Sequence, residues 1–259
     1  MQNQIKSVLE RTFVSTVCIT QFQSSIYQVD PFRIDNRSRH TIKFRQWVLH
    51  MATILRDWSY QYQWLYDSIS WLAALTVGGE QRFRQLPLAG LPIEPETRVL
   101  DLCCGSGQST QVLVQRSRHV TGLDASPLSL QRARQQVPQA DYVEAFAEQM
   151  PLADDQFDLV HTCAALHEMA PEQLRQILQE VYRVLKPGGW FALADFHAPS
   201  NPLFWPGVSL FLTLFETETA WQLLQTDVPQ LLQQVGFSVR NQVFYAGGSL
   251  QVIQAQKGL

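Results

Sequence analysis

The stretch RVLDLCCGSGQST, Arg98 to Thr110, decides how this chain is read. Val99, Leu100 and Leu102 read as a buried strand, Gly105 and Gly107 as a tight turn, and a helix begins near Gln108. Strand, glycine turn and helix in that order make a cradle for a nucleotide-type ligand. The glycines let backbone approach it without a Cβ in the way, and the first helical turn offers free N–H groups. Two cysteines, Cys103 and Cys104, sit inside the turn, and the question is whether they serve metal or redox chemistry.

Their context argues against both. The other cysteines, Cys18 and Cys163, are too few and too scattered for a disulfide framework, and no Cys-x-x-Cys completes a zinc site. No metal is expected. With 259 residues, 46% of them hydrophobic and 17% charged, the chain can bury one large core. The longest strongly apolar run, Leu203–Phe215, is well short of the roughly 20 residues of a spanning helix and contains Pro206 and Gly207. A cytoplasmic protein is expected, or one peripheral to a membrane surface, with no transmembrane segment.

Charge divides the chain. Residues 1–50 carry seven Lys or Arg against three acids, while the remainder carries a net −7. A nucleic-acid partner is not expected for the main domain, because phosphate neutralisation needs a basic face. Residues 1–50 show no sustained period and are expected to be a poorly ordered extension or to lie upstream of the true start. Residues 51–94, with the aromatic run Asp57–Gly79, read as a helical cap, and 95–259 as the main domain.

Outward from the opening stretch, short β-rich runs alternate with helical patterns. RVLDLC (98–103), HVTGLD (119–124), FDLVHTC (157–163) and WFALADF (190–196) read as strands, and FSVRNQVFY and SLQVIQAQ as a closing pair. Ser126 before Pro127 is an N-cap with proline in the first turn. Leu174, Ile177, Leu178, Val181 and Leu185 give one helix an apolar face, which Pro187-Gly188-Gly189 ends. This order implies a doubly wound, mostly parallel α/β sheet.

A dinucleotide fingerprint wants a third small residue three positions after Gly107, where Thr110 stands. That weakens a nicotinamide-dependent oxidoreductase, which stays open as an alternative. Asp124, at the tip of the second strand, is placed to accept hydrogen bonds from both hydroxyls of a ribose.

Four ordered motifs, VLDLCCGSG (99–107), GLDAS (122–126), AEQMPLADDQFDLV (147–160) and RVLKPGGWFALADF (183–196), resemble those of class I S-adenosylmethionine-dependent methyltransferases. Within that superfamily the chain resembles the C-methyltransferases of ubiquinone, menaquinone and phylloquinone synthesis, through YDSISWLAALTVGGEQRFR (66–84), DFHAPSNPLFW (195–205) and GGSLQVIQAQK (247–257). The resemblance implies a seven-stranded Rossmann-like sheet with N-terminal helices and an antiparallel C-terminal strand pair. It also implies S-adenosyl-L-methionine as cofactor. Asp101, Gly105 and Gly107 would hold its methionine end, Cys104 would contribute backbone, and Asp124 with Ala125 would hold the ribose. Where an acidic residue usually meets the adenine amino group stands Phe146, which lines that pocket or packs in the core. The Ala147 backbone or Glu148 would take the hydrogen bond instead. Cys103 stands where the family commonly has Gly and reads as a packed hydrophobe.

The partner implied is a small-molecule methyl acceptor, with a membrane-derived prenyl quinol in first place. A phenolic acceptor needs a base. His197 and His167, beyond the fifth and fourth strands, are the candidates; His161, inside a strand, reads as structural, and Asp195 as orienting a histidine or capping the strand end. Leu203–Phe215 reads either as acceptor lining or as a core helix over the sheet. The stretch from Pro202 to Gly236 is shorter than in the quinone methyltransferases, so a compact acceptor stays open, as does a cofactor-binding protein without turnover.

Overall fold

The computed structural model describes residues 76–259. The extension expected over 1–50, and the part of the helical cap before residue 76, lie outside the described residues. Seven strands, β1 (Arg98–Leu102), β2 (His119–Asp124), β3 (Asp141–Glu144), β4 (Phe157–Cys163), β5 (Leu185–Phe196), β6 (Phe237–Tyr245) and β7 (Leu250–Lys257), form one sheet in the order β3-β2-β1-β4-β5-β7-β6. β1 to β5 run parallel, and β7 is antiparallel to both β5 and β6. The order reverses between β1 and β4, where the carboxyl ends of an open sheet leave a crevice for ligands. The expected doubly wound sheet with its antiparallel closing pair is the architecture observed.

The helices are α1 (Glu80–Gln85), α2 (Gln108–Leu113), α3 (Pro127–Gln136), α4 (Pro171–Val184), α5 (Trp205–Phe215), α6 (Glu218–Leu224) and α7 (Val228–Val235). α3 begins as its cap predicts, with the Ser126 hydroxyl accepting the Ser129 N–H at 3.2 Å. Successive strand residues face opposite sides. Leu100 and Leu102 pack in one layer with Leu174, Ile177, Leu178 and Val181 of α4. Val99 packs in the other with Val112 and Leu113 of α2.

Two details differ from the sequence reading. α4 stops at Val184; Leu185 is already extended and opens β5, with a register break against β4 between the Phe157–Leu185 and Leu159–Trp190 pairs. Pro187-Gly188-Gly189 therefore lies inside a strand, where the break absorbs a proline without an N–H and a glycine at φ 78°. β3 was missed because it is a four-residue edge strand that begins and ends on exposed acids.

Candidate active site

The turn after β1 is stitched to the end of β2. The Cys104 N–H donates to the Leu123 carbonyl at 3.0 Å, and the Gly105 N–H to Asp124 Oδ2 at 2.9 Å. Asp124 Oδ1 accepts the Ser126 N–H at 2.8 Å, so each carboxylate oxygen holds one backbone donor and keeps lone-pair capacity for another. Gly105 has φ 54°, and a Cβ there would meet only Gln108 Oε1, at 3.8 Å. Its outer side is the open cradle a bound nucleoside needs.

Gly107 also has a packing role. It caps α2 at φ 92°, and a Cβ would lie 3.3 Å from the Ala133 Cβ of α3. Only glycine tolerates both the left-handed backbone and the close approach of α3, so packing by itself requires glycine here.

Asp101 is also set deeper than the resemblance implies. It is 1% exposed; Oδ2 accepts the Thr110 hydroxyl at 2.6 Å and Oδ1 is 3.1 Å from His161 Nδ1. The carboxylate therefore braces α2 and β4 beneath the loop, and does not stand on the loop's open side. Thr110, which departs from the dinucleotide pattern, is the residue that makes this brace. His161 is fully buried, as its place inside a strand suggested.

Neither loop cysteine is built for reactivity. Cys104 is buried with its Sγ 2.9 Å from where a Gly122 Cβ would be, so β2 must carry glycine opposite it. Cys103 packs on the main core at φ 55°, a left-handed conformation that glycine adopts without strain. Burial, with Asp124 and Asp101 among the nearby carboxylates, pushes both thiols far above their ordinary range.

On the β2–β3 side, Ala125 is exposed and Phe146 is 66% exposed, which removes the core-packing reading of Phe146. Leu128, in the first turn of α3, is 53% exposed. The sequence reading passed over it because one leucine in an amphipathic helix carries no signal. Ala147 is buried, and Glu148 accepts the Gln173 side-chain N–H at 3.0 Å.

Beyond β4 and β5 the two histidines separate. Asp195 Oδ2 accepts the Ala165 and Leu166 N–H groups, while Oδ1 accepts the Phe196 N–H and lies 2.7 Å from His167 Nδ1. It thus caps the turn after β4 and orients the histidine at once. His167 Nε2 faces Glu216 at 3.4 Å. Burial would lower the pKa of this imidazole, but Asp195, its hydrogen bond, Glu216 and Glu168 outweigh burial and raise it to about 9. A ring engaged by carboxylates at both nitrogens and biased toward the cation is poorly placed to accept a proton near neutral pH. His197 differs: its Nδ1 meets the Gly248 carbonyl at 2.9 Å and must be the donor there, which leaves Nε2 as the acceptor in the neutral ring. Among the described residues Nε2 has no partner, and the ring lies tilted at 47° against Phe244 with centroids 4.5 Å apart.

The apolar segment is not a core helix. Within α5 only Leu212 is buried, and Leu203 and Leu210 are 82% and 61% exposed. Its start is anchored on the β6–β7 turn. The Asn201 N–H donates to the Gly247 carbonyl at 3.0 Å, and the Phe204 ring covers the face of Gly247 so closely that no Cβ would fit. Among the described residues no helix is long and apolar enough to cross a membrane.

A family model for a methyltransferase domain matches residues 99–189. The chain belongs to the class I S-adenosylmethionine-dependent methyltransferases. It is 61% identical over 206 residues, 80% of this chain and 97% of the other, to an uncharacterized methyltransferase of Synechocystis sp.. It is 29% identical to a 2-phytyl-1,4-naphtoquinone methyltransferase of Nostoc punctiforme, over 74% of this chain and 94% of that one. A demethylmenaquinone methyltransferase of Listeria monocytogenes is 28% identical over 65% and 81%. The same fold occurs in an S-adenosylmethionine dependent methyltransferase from Mesorhizobium loti, with TM-score 0.53, 21% identity and coverage of 70% of this chain and all of that one. S-adenosylmethionine is the cofactor, and the open face of Gly105 beside Asp124 suits its nucleoside.

Proposed function

We propose that this methyltransferase alkylates a ring carbon of a lipophilic quinol or phenol, and that a prenylated acceptor suits it best. The observation that carries the reading is the exposed apolar segment Leu203–Leu210. It follows His197 within one charge-free stretch, Ala198 to Phe215. The names of the Nostoc and Listeria relatives point the same way, at identities too low to transfer a substrate.

The cofactor, when bound, supplies an electrophilic methyl group on a sulfonium whose sulfur leaves with the bonding electron pair. The backbone of Cys104 and Gly105 and the carboxylate of Asp124 bind and orient the methionine and ribose parts, and Ala125, Leu128, Phe146, Ala147 and Glu148 border the adenine. His197 Nε2 would take the phenolic proton, which would make the ortho carbon nucleophilic toward the methyl group the cofactor would supply; the ring proton would then pass to solvent and His197 would return its proton to the oxygen, restoring the aromatic phenol. Apolar side chains of α5 exclude water and hold the tail.

The test is a series of naphthoquinols with increasing tail length, assayed at saturating S-adenosylmethionine. Each buried methylene contributes roughly 0.8 kcal/mol, so KM falls steeply over the first few carbons. A flat response overturns the prenyl reading and leaves a compact acceptor.

A further inference from the structure

We propose that His167 is a positioning residue: through Glu216 it staples the carboxyl end of α5 to the end of β5, and so fixes the wall against which the acceptor lies. The proposal rests on the acceptor reading above only in its last clause.

The apolar strap that contains α5 is tied at two places on the carboxyl edge of the sheet. At its start, Asn201 and Phe204 bind the turn between β6 and β7. At its end, Glu216 meets His167, in the turn after β4, and His167 meets Asp195 in β5. His197, immediately beyond β5, lies in the chain between Asp195 and the strap. Within α5 Leu212 is buried and Phe211, Leu214 and Phe215 are half-buried, so its apolar anchoring is confined to its last turns. Those turns are held by the buried Leu212 together with the ion triad and the ring chain beside it, His167–Phe196–Phe211–Phe215, with centroid distances of 4.5, 5.9 and 5.5 Å.

A triad this dry is an odd choice for stability alone. The side chains of Asp195, His167 and Glu216 are 2%, 6% and 16% exposed, and apolar residues of similar size would hold the same elements together without the desolvation cost. Charge does add direction. An imidazolium between two carboxylates admits one arrangement of α5 against β5, where an apolar contact would let the helix slide. His167 therefore contributes to the reaction through α5 and touches neither acceptor nor cofactor.

The full-length protein carrying Glu216→Gln, Glu216→Asp or His167→Gln tests this. Chymotrypsin cleavage between Leu203 and Phe215 is followed by mass spectrometry, S-adenosylhomocysteine affinity by calorimetry, and kcat and KM with a short-tailed demethylmenaquinol. Glu216→Gln and His167→Gln should cleave at least fivefold faster in that segment, with cofactor affinity unchanged within twofold. KM for the quinol should rise at least fivefold while kcat moves less, and Glu216→Asp should recover part of both effects. Unchanged cleavage and KM in Glu216→Gln would overturn the staple. So would His167→Gln losing cofactor binding and protease resistance along its whole length while Glu216→Gln behaved as wild type. If no form of the protein methylates any quinol, the acceptor reading fails, and the cleavage rates still decide the staple.

Discussion

Gly105 and Asp124 are joined by a 2.9 Å hydrogen bond from the backbone N–H of the first to Oδ2 of the second, so the side chain expected to meet the ribose also sets the shape of the loop around it. Mutations at the two ends of this loop should therefore have separable effects.

Asp124→Ala removes a charged acceptor from two hydroxyls and the tether from Gly105, and should weaken S-adenosylhomocysteine binding by about 2–3 kcal/mol. Gly105→Ala should lower the same affinity with little loss of stability beyond the cost of a left-handed alanine, about 1–2 kcal/mol. Gly107→Ala adds a clash with Ala133 to that cost and should lower the melting temperature more. Calorimetry and thermal denaturation of the three variants distinguish these outcomes; an unchanged affinity in Asp124→Ala removes that residue from the site.

His167 makes stability depend on pH in a defined direction. Its imidazole is raised from 6.5 to about 9 in the folded chain, so its contribution is fully present below pH 6.5 and is lost as pH rises through about 9. Urea unfolding of the wild type should lose up to roughly 3 kcal/mol across that window, and His167→Gln should lack this component. Parallel curves for the two proteins would show that the ring is neutral in the fold.

His197→Gln keeps a donor for the Gly248 carbonyl but cannot accept a proton. Turnover should fall on the order of 10²–10⁴-fold, with S-adenosylhomocysteine affinity unchanged within about twofold. Full turnover in this variant would place the base elsewhere.

The cysteines should prove dispensable for chemistry. Cys103→Gly relieves a left-handed φ but loosens the unfolded chain, two effects of about 1 kcal/mol that oppose each other. Cys104→Ala should cost about 1 kcal/mol through the space left opposite Gly122. Both should retain cofactor binding and turnover, and iodoacetamide at pH 8 should label neither thiol quickly. Rapid labelling of native protein would contradict the raised pKa values.

Sequence alone determined the alternation of strands and helices, the cap at Ser126, the glycine turn and the acid at the tip of β2, because each depends on neighbours a few residues away. Periodicity, a proline in a first turn and a glycine at positive φ leave their mark locally. Tertiary structure decided the rest. Asp101 and His161, 60 positions apart, share a buried contact, and His167 is biased toward the imidazolium because β5 brings Asp195 and the end of α5 brings Glu216 to its two nitrogens. Two histidines that follow adjacent strands look alike in a chain of letters. A pKa depends on burial and on charges gathered from distant segments, so His167, flanked by two carboxylates, separated from His197, whose Nδ1 meets a backbone carbonyl, only when the sheet brought their partners together.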